Sequence, residues 1–265
     1  YYARIVSGLT MDSSMNTTSA PLTDKVALIT GGARRLGAHI ARVLHNEGMN
    51  LLLHYRTSVT EARELQEELN AKRAESVLLV GSDLLNLAKL DRLVDQATES
   101  FGRLDLLVNN ASSFYATPIG ETTEEQWTDL IGTNLKAPFF LAQAAAPALS
   151  ESQGCVINLI DIYADRPLRG HSVYSLAKAG LAALTRSLAI ELGPHVRVNG
   201  IAPGAVLWPE NDTNQIAQQR LISSTPLKRI GQLDDISSAL LYLVREAPFV
   251  SGQILNVDGG RSVVS

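Results

Sequence analysis

The sequence predicts an α/β fold: one domain in which a parallel sheet of about seven strands carries helices on both faces. Three observations predict it. Short apolar runs alternate with helical patterns along the chain. A glycine turn at 31–37 joins the first strand directly to the first helix. No internal repeat or linker breaks the pattern, so 21–265 reads as one unit.

The elements follow in order. Lys-Val-Ala-Leu-Ile-Thr at 25–30 is a buried strand, and a helix over 36–47 closes at Gly48. Residues 50–55 make the second strand and 61–72 an amphipathic helix. Strand 76–81 precedes a helix at 86–101, and strand 104–108 runs into Asn109-Asn110-Ala111. A long helical pattern covers 124–149, with Asn134 set among apolar residues. Residues 154–161 are a short β-branched strand, and Leu176, Leu181, Leu184 and Leu188 then recur at helical spacing. Strand 196–199 ends in a turn at 200–204, helix 233–245 follows, and strand 253–257 closes the sheet. The polar stretch 205–226, with Trp208 and Pro209, is expected to be a mobile cover over a substrate. Residues 1–20, rich in Ser, Thr and Asn, are expected to be a disordered extension.

Composition narrows the function. A net charge of −4 gives no basic excess to hold nucleic acid. No apolar run approaches the ~20 residues of a membrane helix. The single cysteine, Cys155, excludes an intrachain disulfide and suits a reducing cytoplasm. The five histidines show no metal-ligand spacing, so no metal is expected.

The chemistry concentrates at two places. Gly31 and Gly37 let backbone N–H groups approach a pyrophosphate at a helix N-terminus, with Arg35 where a middle glycine often sits. The second strand ends His54-Tyr55-Arg56-Thr57-Ser58, without the carboxylate that would hold a ribose 2′-OH. A cation and two hydroxyls suit a 2′-phosphate, which points to NADP(H) rather than NAD(H). Asp83 is either an acceptor for adenine or a helix cap. At the second place, Tyr174 and Lys178 lie four apart on one helix face. A nearby ammonium is expected to lower the phenol pKa toward neutrality and fit it for proton transfer. Asp161, at the preceding strand's end, faces the same crevice, and Asn134 either serves a helix irregularity or holds a water beneath Lys178.

Taken together, Thr30-Gly31 to Gly37, Asn109-Asn110-Ala111, Asn134, Tyr174-x-x-x-Lys178, Pro203-Gly204 and Val257-Asp258-Gly259-Gly260 resemble the short-chain dehydrogenase/reductase family. The resemblance implies a Rossmann fold, a nicotinamide cofactor and commonly a homotetramer. Most members carry Ser thirteen residues before the Tyr, where this chain has Asp161. That departure, with Phe114 after Asn109-Asn110-Ala111, resembles the pteridine reductases of the family.

By that likeness, the cofactor contacts are Gly31, Arg34, Arg35, Leu36 and Gly37 from the turn and His54, Tyr55, Arg56, Thr57 and Ser58 from the second strand. Asp83, Leu84, Asn110, Ala111, Ser112, Tyr174, Lys178, Pro203 and Gly204 complete them. Phe114 and the nicotinamide sandwich a pterin or folate, with Arg35 and Ser112 also touching ligand. Asp161 and Tyr174 supply the proton that accompanies the hydride of NADPH. Lys178 holds the nicotinamide ribose and tunes Tyr174, and Asn134 supports Lys178. A reducible C=N bond needs its nitrogen protonated, and a carboxyl beside a phenol is a better relay for that than a Ser. Two other functions remain in view: a carbonyl reductase of the same fold, such as a 3-oxoacyl reductase, and a non-catalytic NADP-binding regulator.

Overall fold

The computed structural model describes residues 21–206 and 214–264. The expected extension at 1–20, and Trp208 and Pro209 within the expected cover, lie outside the described residues. Seven strands form one sheet in the order β3-β2-β1-β4-β5-β6-β7. They are β1 (Val26–Ile29), β2 (Asn50–Tyr55), β3 (Val77–Gly81), β4 (Leu106–Asn109), β5 (Cys155–Leu159), β6 (Arg197–Pro203) and β7 (Ile254–Val257). Every pairing is parallel.

Side-chain alternation along the strands makes two cores. Ala27, Ile29, Leu106, Val108 and Ile157 face α1 (Arg35–Asn46), α2 (Val59–Asn70) and α8 (Leu233–Leu241), through Ile40, Leu44, Leu65 and Leu240. Val26, Leu28, Leu107 and Val156 face the other way, onto Leu93, Leu141, Leu149 and Leu188. Those belong to α3 (Leu90–Phe101), α5 (Ala137–Ser152) and α6 (Ser172–Glu191). Each fully buried Leu or Ile contributes about 1.5–3 kcal/mol of transfer free energy, so both faces must be covered.

The chain reverses its direction of winding between β1 and β4, the place where a doubly wound sheet opens a crevice at its carboxyl edge. Three expected element bounds are corrected, and a fourth stretch gains an element. The helix expected over 124–149 is α4 (Glu124–Ile131), a π-helical turn at Gly132–Lys136, and α5. The helix expected from residue 86 opens as a 3₁₀ turn, Leu87–Lys89, before α3. The strand expected at 196–199 runs on through Pro203, because β7 pairs with it from Gly200 to Pro203. The expected mobile cover contains a helix, α7 (Gln215–Ser224), whose cap Asn214 accepts a hydrogen bond from the Ala217 amide.

Candidate active site

The glycine turn is built for close approach. Gly31 has φ +61°, and a Cβ on Gly37 would collide with the Gly31 carbonyl oxygen. Arg35 also stands in the left-handed region, at φ +51°. It keeps a glycine's backbone while adding a guanidinium, at about 1–2 kcal/mol of strain. Asn110, just past the end of β4, locks this turn, donating to the carbonyls of Thr30 and Gly31 at 2.9 and 3.0 Å. The Thr30 hydroxyl in turn accepts the amides of Asn110 and Ala111.

A cleft follows from the turn. Its lining includes Gly31, Arg34, Arg35, Leu36, Gly37, His54, Arg56, Asp83, Leu84, Asn110, Ala111 and Ser112, all expected, together with Ser113 and Thr133. Tyr55, Thr57, Ser58, Tyr174, Lys178, Pro203 and Gly204, also expected as cofactor contacts, are not among its lining residues. The cradle of glycines, backbone amides and arginines fits a dinucleotide with its phosphates at the α1 N-terminus. A bound nicotinamide cofactor would supply the hydride; the residues here would bind and orient it. Arg56 is half exposed and reaches only a loose pairing, 3.7 Å, with Asp129. Asp83 lines the cleft and also caps its own loop, accepting the Leu85 amide at 2.9 Å.

His54 works differently from the contact expected of it. Its ring is buried, Nδ1 accepts the Gly31 amide at 3.2 Å, and Nε2 lies 2.9 Å from the Ser82 carbonyl oxygen. It therefore ties the glycine turn to the loop that carries Asp83. Because Nδ1 must accept and Nε2 must donate, the ring is neutral, and burial holds its pKa below the usual histidine value.

The residues expected to transfer a proton lie beyond the β5 end. Asp161 caps the 3₁₀ turn Ile162–Ala164 through the Tyr163 amide at 2.9 Å, and its other oxygen takes the Tyr174 hydroxyl at 2.8 Å. One carboxyl thus both caps the turn and meets the Tyr174 hydroxyl. Burial raises the Asp161 pKa, opposed by the Tyr163 amide, the Tyr174 hydroxyl, Lys178 and Arg261. The Lys178 ammonium is buried, donates to the Leu159 carbonyl at 2.8 Å and stands 5.7 Å from the Tyr174 ring centre. Burial pulls its pKa down to about 8.

The expected lowering of the Tyr174 pKa is overturned. Burial raises it, and the Asp161 charge and hydrogen bond raise it further; only Ser112 opposes. The phenol oxygen has a carboxyl as its neighbour, whereas the ammonium points to a backbone carbonyl. Asn134 serves the irregular helix: its Nδ2 donates to the carbonyls of Leu130 and Ser113, each at 3.0 Å, and its Oδ1 accepts the Ser112 hydroxyl at 2.7 Å. Among the described residues no hydrogen bond joins Asn134 to Lys178.

Phe114 stands beside this chain of groups. Its ring meets Tyr174 edge-on at 4.8 Å and stacks on His171 at 4.8 Å with 14° between planes. A parallel bridge between Thr117 and His171 brings the two segments together. His171 escaped the sequence reading; it is the residue that precedes α6, outside the helix whose spacing pointed to Tyr174 and Lys178.

Comparison with known proteins fits this geometry. The profile of a family described as enoyl-(acyl carrier protein) reductase matches residues 31–262. The chain belongs to the short-chain dehydrogenase/reductase family. As a short-chain dehydrogenase/reductase it is an oxidoreductase of the nicotinamide-dependent kind. It is 36% identical to pteridine reductase 1 of Leishmania tarentolae, over 93% of this chain and 99% of that one. It is 38% identical to a protein of Streptomyces violaceoruber named as a granaticin polyketide synthase ketoacyl reductase, over 89% and 95% of the two chains. It is 32% identical to 3-oxoacyl-[acyl-carrier-protein] reductase of Staphylococcus aureus, over 89% and 97%.

Proposed function

We propose that this reductase uses NADPH to reduce the C=N bond of a pterin, taking dihydropterin or dihydrofolate to the tetrahydro form. The observation that carries the reading is the 2.8 Å hydrogen bond between Tyr174 and Asp161. A phenol whose pKa is raised is a weak acid alone, and its anion would be poorly solvated where it is buried. Asp161, itself raised by burial, removes that difficulty. With Asp161 protonated, the 2.8 Å contact runs the other way. As the Tyr174 hydroxyl proton passes to the substrate nitrogen, the Asp161 carboxyl proton passes to the Tyr174 oxygen. No free phenolate is left, and Asp161 ends as a carboxylate that takes its next proton from solvent. Phe114 offers its ring to the flat heterocycle. Arg56, with only a distant carboxylate, is placed to exchange Asp129 for a 2′-phosphate, which supports NADPH over NADH. Cytoplasmic residence suits the single buried thiol, Cys155.

A ketone is the second candidate, favoured by the two ketoacyl reductase relatives. Two substitutions separate the readings. Asp161→Asn keeps the shape and the cap but removes the ionisable oxygen, so kcat on dihydrobiopterin is expected to fall by roughly 10²–10⁴-fold. NADPH binding, followed by fluorescence, should change little. Asp161→Ser should also fail on pterins and gain weak ketone turnover. Full pterin activity in both variants would leave Asp161 a cap alone and return the chain to carbonyl reduction.

A further inference from the structure

We propose that the cleft between α7 and the C-terminal turn binds a carboxylate carried by the substrate, the charged tail of a folate-type pterin. The inference rests on the pterin reading. The cleft is lined by Ile216, Ala217 and Leu221 on the apolar side and by Arg220 and Arg261 on the charged side, and among the described residues no acidic one lines it.

Neither guanidinium has a hydrogen-bond or ion-pair partner among the described residues, and the Arg261 Nη1 atom is buried without one. Four other arginines are paired, Arg42 with Glu68, Arg103 with Asp105, Arg229 with Asp235 and Arg245 with Glu47, whereas the exposed Arg63, Arg92, Arg169 and Arg186 are simply solvated. What sets this cleft apart is that two guanidinium groups converge on it and one of them buries an unpartnered Nη1. An anion between them would satisfy that atom, and their planar forks match a carboxylate.

The cleft's position says whose carboxylate it is. Arg261 belongs to the cleft and also to the surroundings of the proton donors, where its charge lowers the pKa of both Asp161 and Tyr163. Arg166, just after the Asp161 turn, donates to the carbonyls of Arg261 and Ser262 at 3.2 Å each and pins the C-terminal turn there. A ring held at Tyr174 and Asp161 therefore has this cleft beside it. A benzoyl-glutamate tail would lay its ring on the apolar wall and its carboxylates on the arginines. The short hydroxylated tail of a biopterin has no charge to offer them.

The test compares kcat/KM for dihydrofolate and dihydrobiopterin with NADPH, in the native protein, Arg220→Gln, Arg261→Gln and Arg261→Lys. Arg261 also acts on Asp161, so the ratio of the two substrates is the readout, since effects on proton transfer are common to both. Each Gln variant is expected to lower the dihydrofolate-to-dihydrobiopterin ratio about tenfold, mainly through KM, and Arg261→Lys to lower it less. Unchanged ratios would overturn the subsite while leaving the pterin reading intact. If neither pterin is turned over, that reading fails, and calorimetry with p-aminobenzoylglutamate on the NADP-loaded protein then decides the cleft. Binding that is lost in the Gln variants would uphold it, and no binding to the native protein would overturn it.

Discussion

His54 is the residue through which the glycine turn feels the next loop. Protonating it would place an N–H against the Gly31 amide, which is already a donor to Nδ1. Its folded pKa is lowered by burial, below the about 6.5 expected in the unfolded chain. The unfolded state therefore binds the proton first, and the stability His54 supplies is present above about pH 6.5 and lost as pH falls below it. His54→Gln should lower the urea midpoint at neutral pH by the loss of two buried hydrogen bonds, about 1–3 kcal/mol in all. It should also flatten the fall in stability between neutrality and about pH 5.5. An equally steep fall in the variant would assign that dependence to other groups, such as the buried His45. At this scale Asp161, Tyr174 and Lys178 were legible, because their spacing on a strand end and one helix face survives in any fold of this type. The charge state of Tyr174 was not, since it depends on which atom the Lys178 ammonium meets.

Among the elements, the β1–α1 junction is the least tolerant. Gly37 opens the helix so tightly against Gly31 that a methyl group would meet the Gly31 carbonyl oxygen and the Asn110 amide. Backbone cannot yield as a side-chain tip can, so Gly37→Ala should destabilise by about 1–3 kcal/mol. It should also weaken NADPH binding by at least tenfold, because the turn that presents its amides must shift. Fluorescence titration beside a urea melt checks both, and native affinity with native stability would show that the turn can relax. The sheet and this junction were readable from apolar runs and glycine spacing. The π turn was signalled only by Asn134, whose amide fills the gap by donating to the Leu130 carbonyl. Helix α7 was missed because Gln-Ile-Ala-Gln-Gln-Arg-Leu-Ile-Ser-Ser lacks a marked apolar stripe and none of its residues is fully buried. Its cap at Asn214 was the available signal.

At the scale of the whole molecule, the apolar groups left at the surface argue for association. Trp127 on α4, Phe139 on α5 and Leu176 on α6 are exposed. Ile190 at the end of α6, Phe249, and Leu255 on β7 are exposed too, Ile190 at 82% and Phe249 fully. The segments that carry Ile190 and Phe249 adjoin, since a Cβ on Gly252, just past Phe249, would touch the Ala189 side chain beside Ile190. β7 is moreover one of the two edge strands of the sheet, and an edge strand invites a neighbour. Two distinct apolar faces on one chain, each able to pair with its own copy across a two-fold axis, close into a tetramer with three perpendicular dyads. We therefore expect sedimentation velocity to give a species of four chain masses at micromolar protein. Phe249→Asp should open the second face, since burying an unpaired carboxylate against apolar partners is strongly unfavourable. The first face would remain paired, so the product expected is a dimer that keeps its far-ultraviolet dichroism. A tetramer unaffected by Phe249→Asp would place the second interface elsewhere, and a monomeric native protein would leave both faces to other partners.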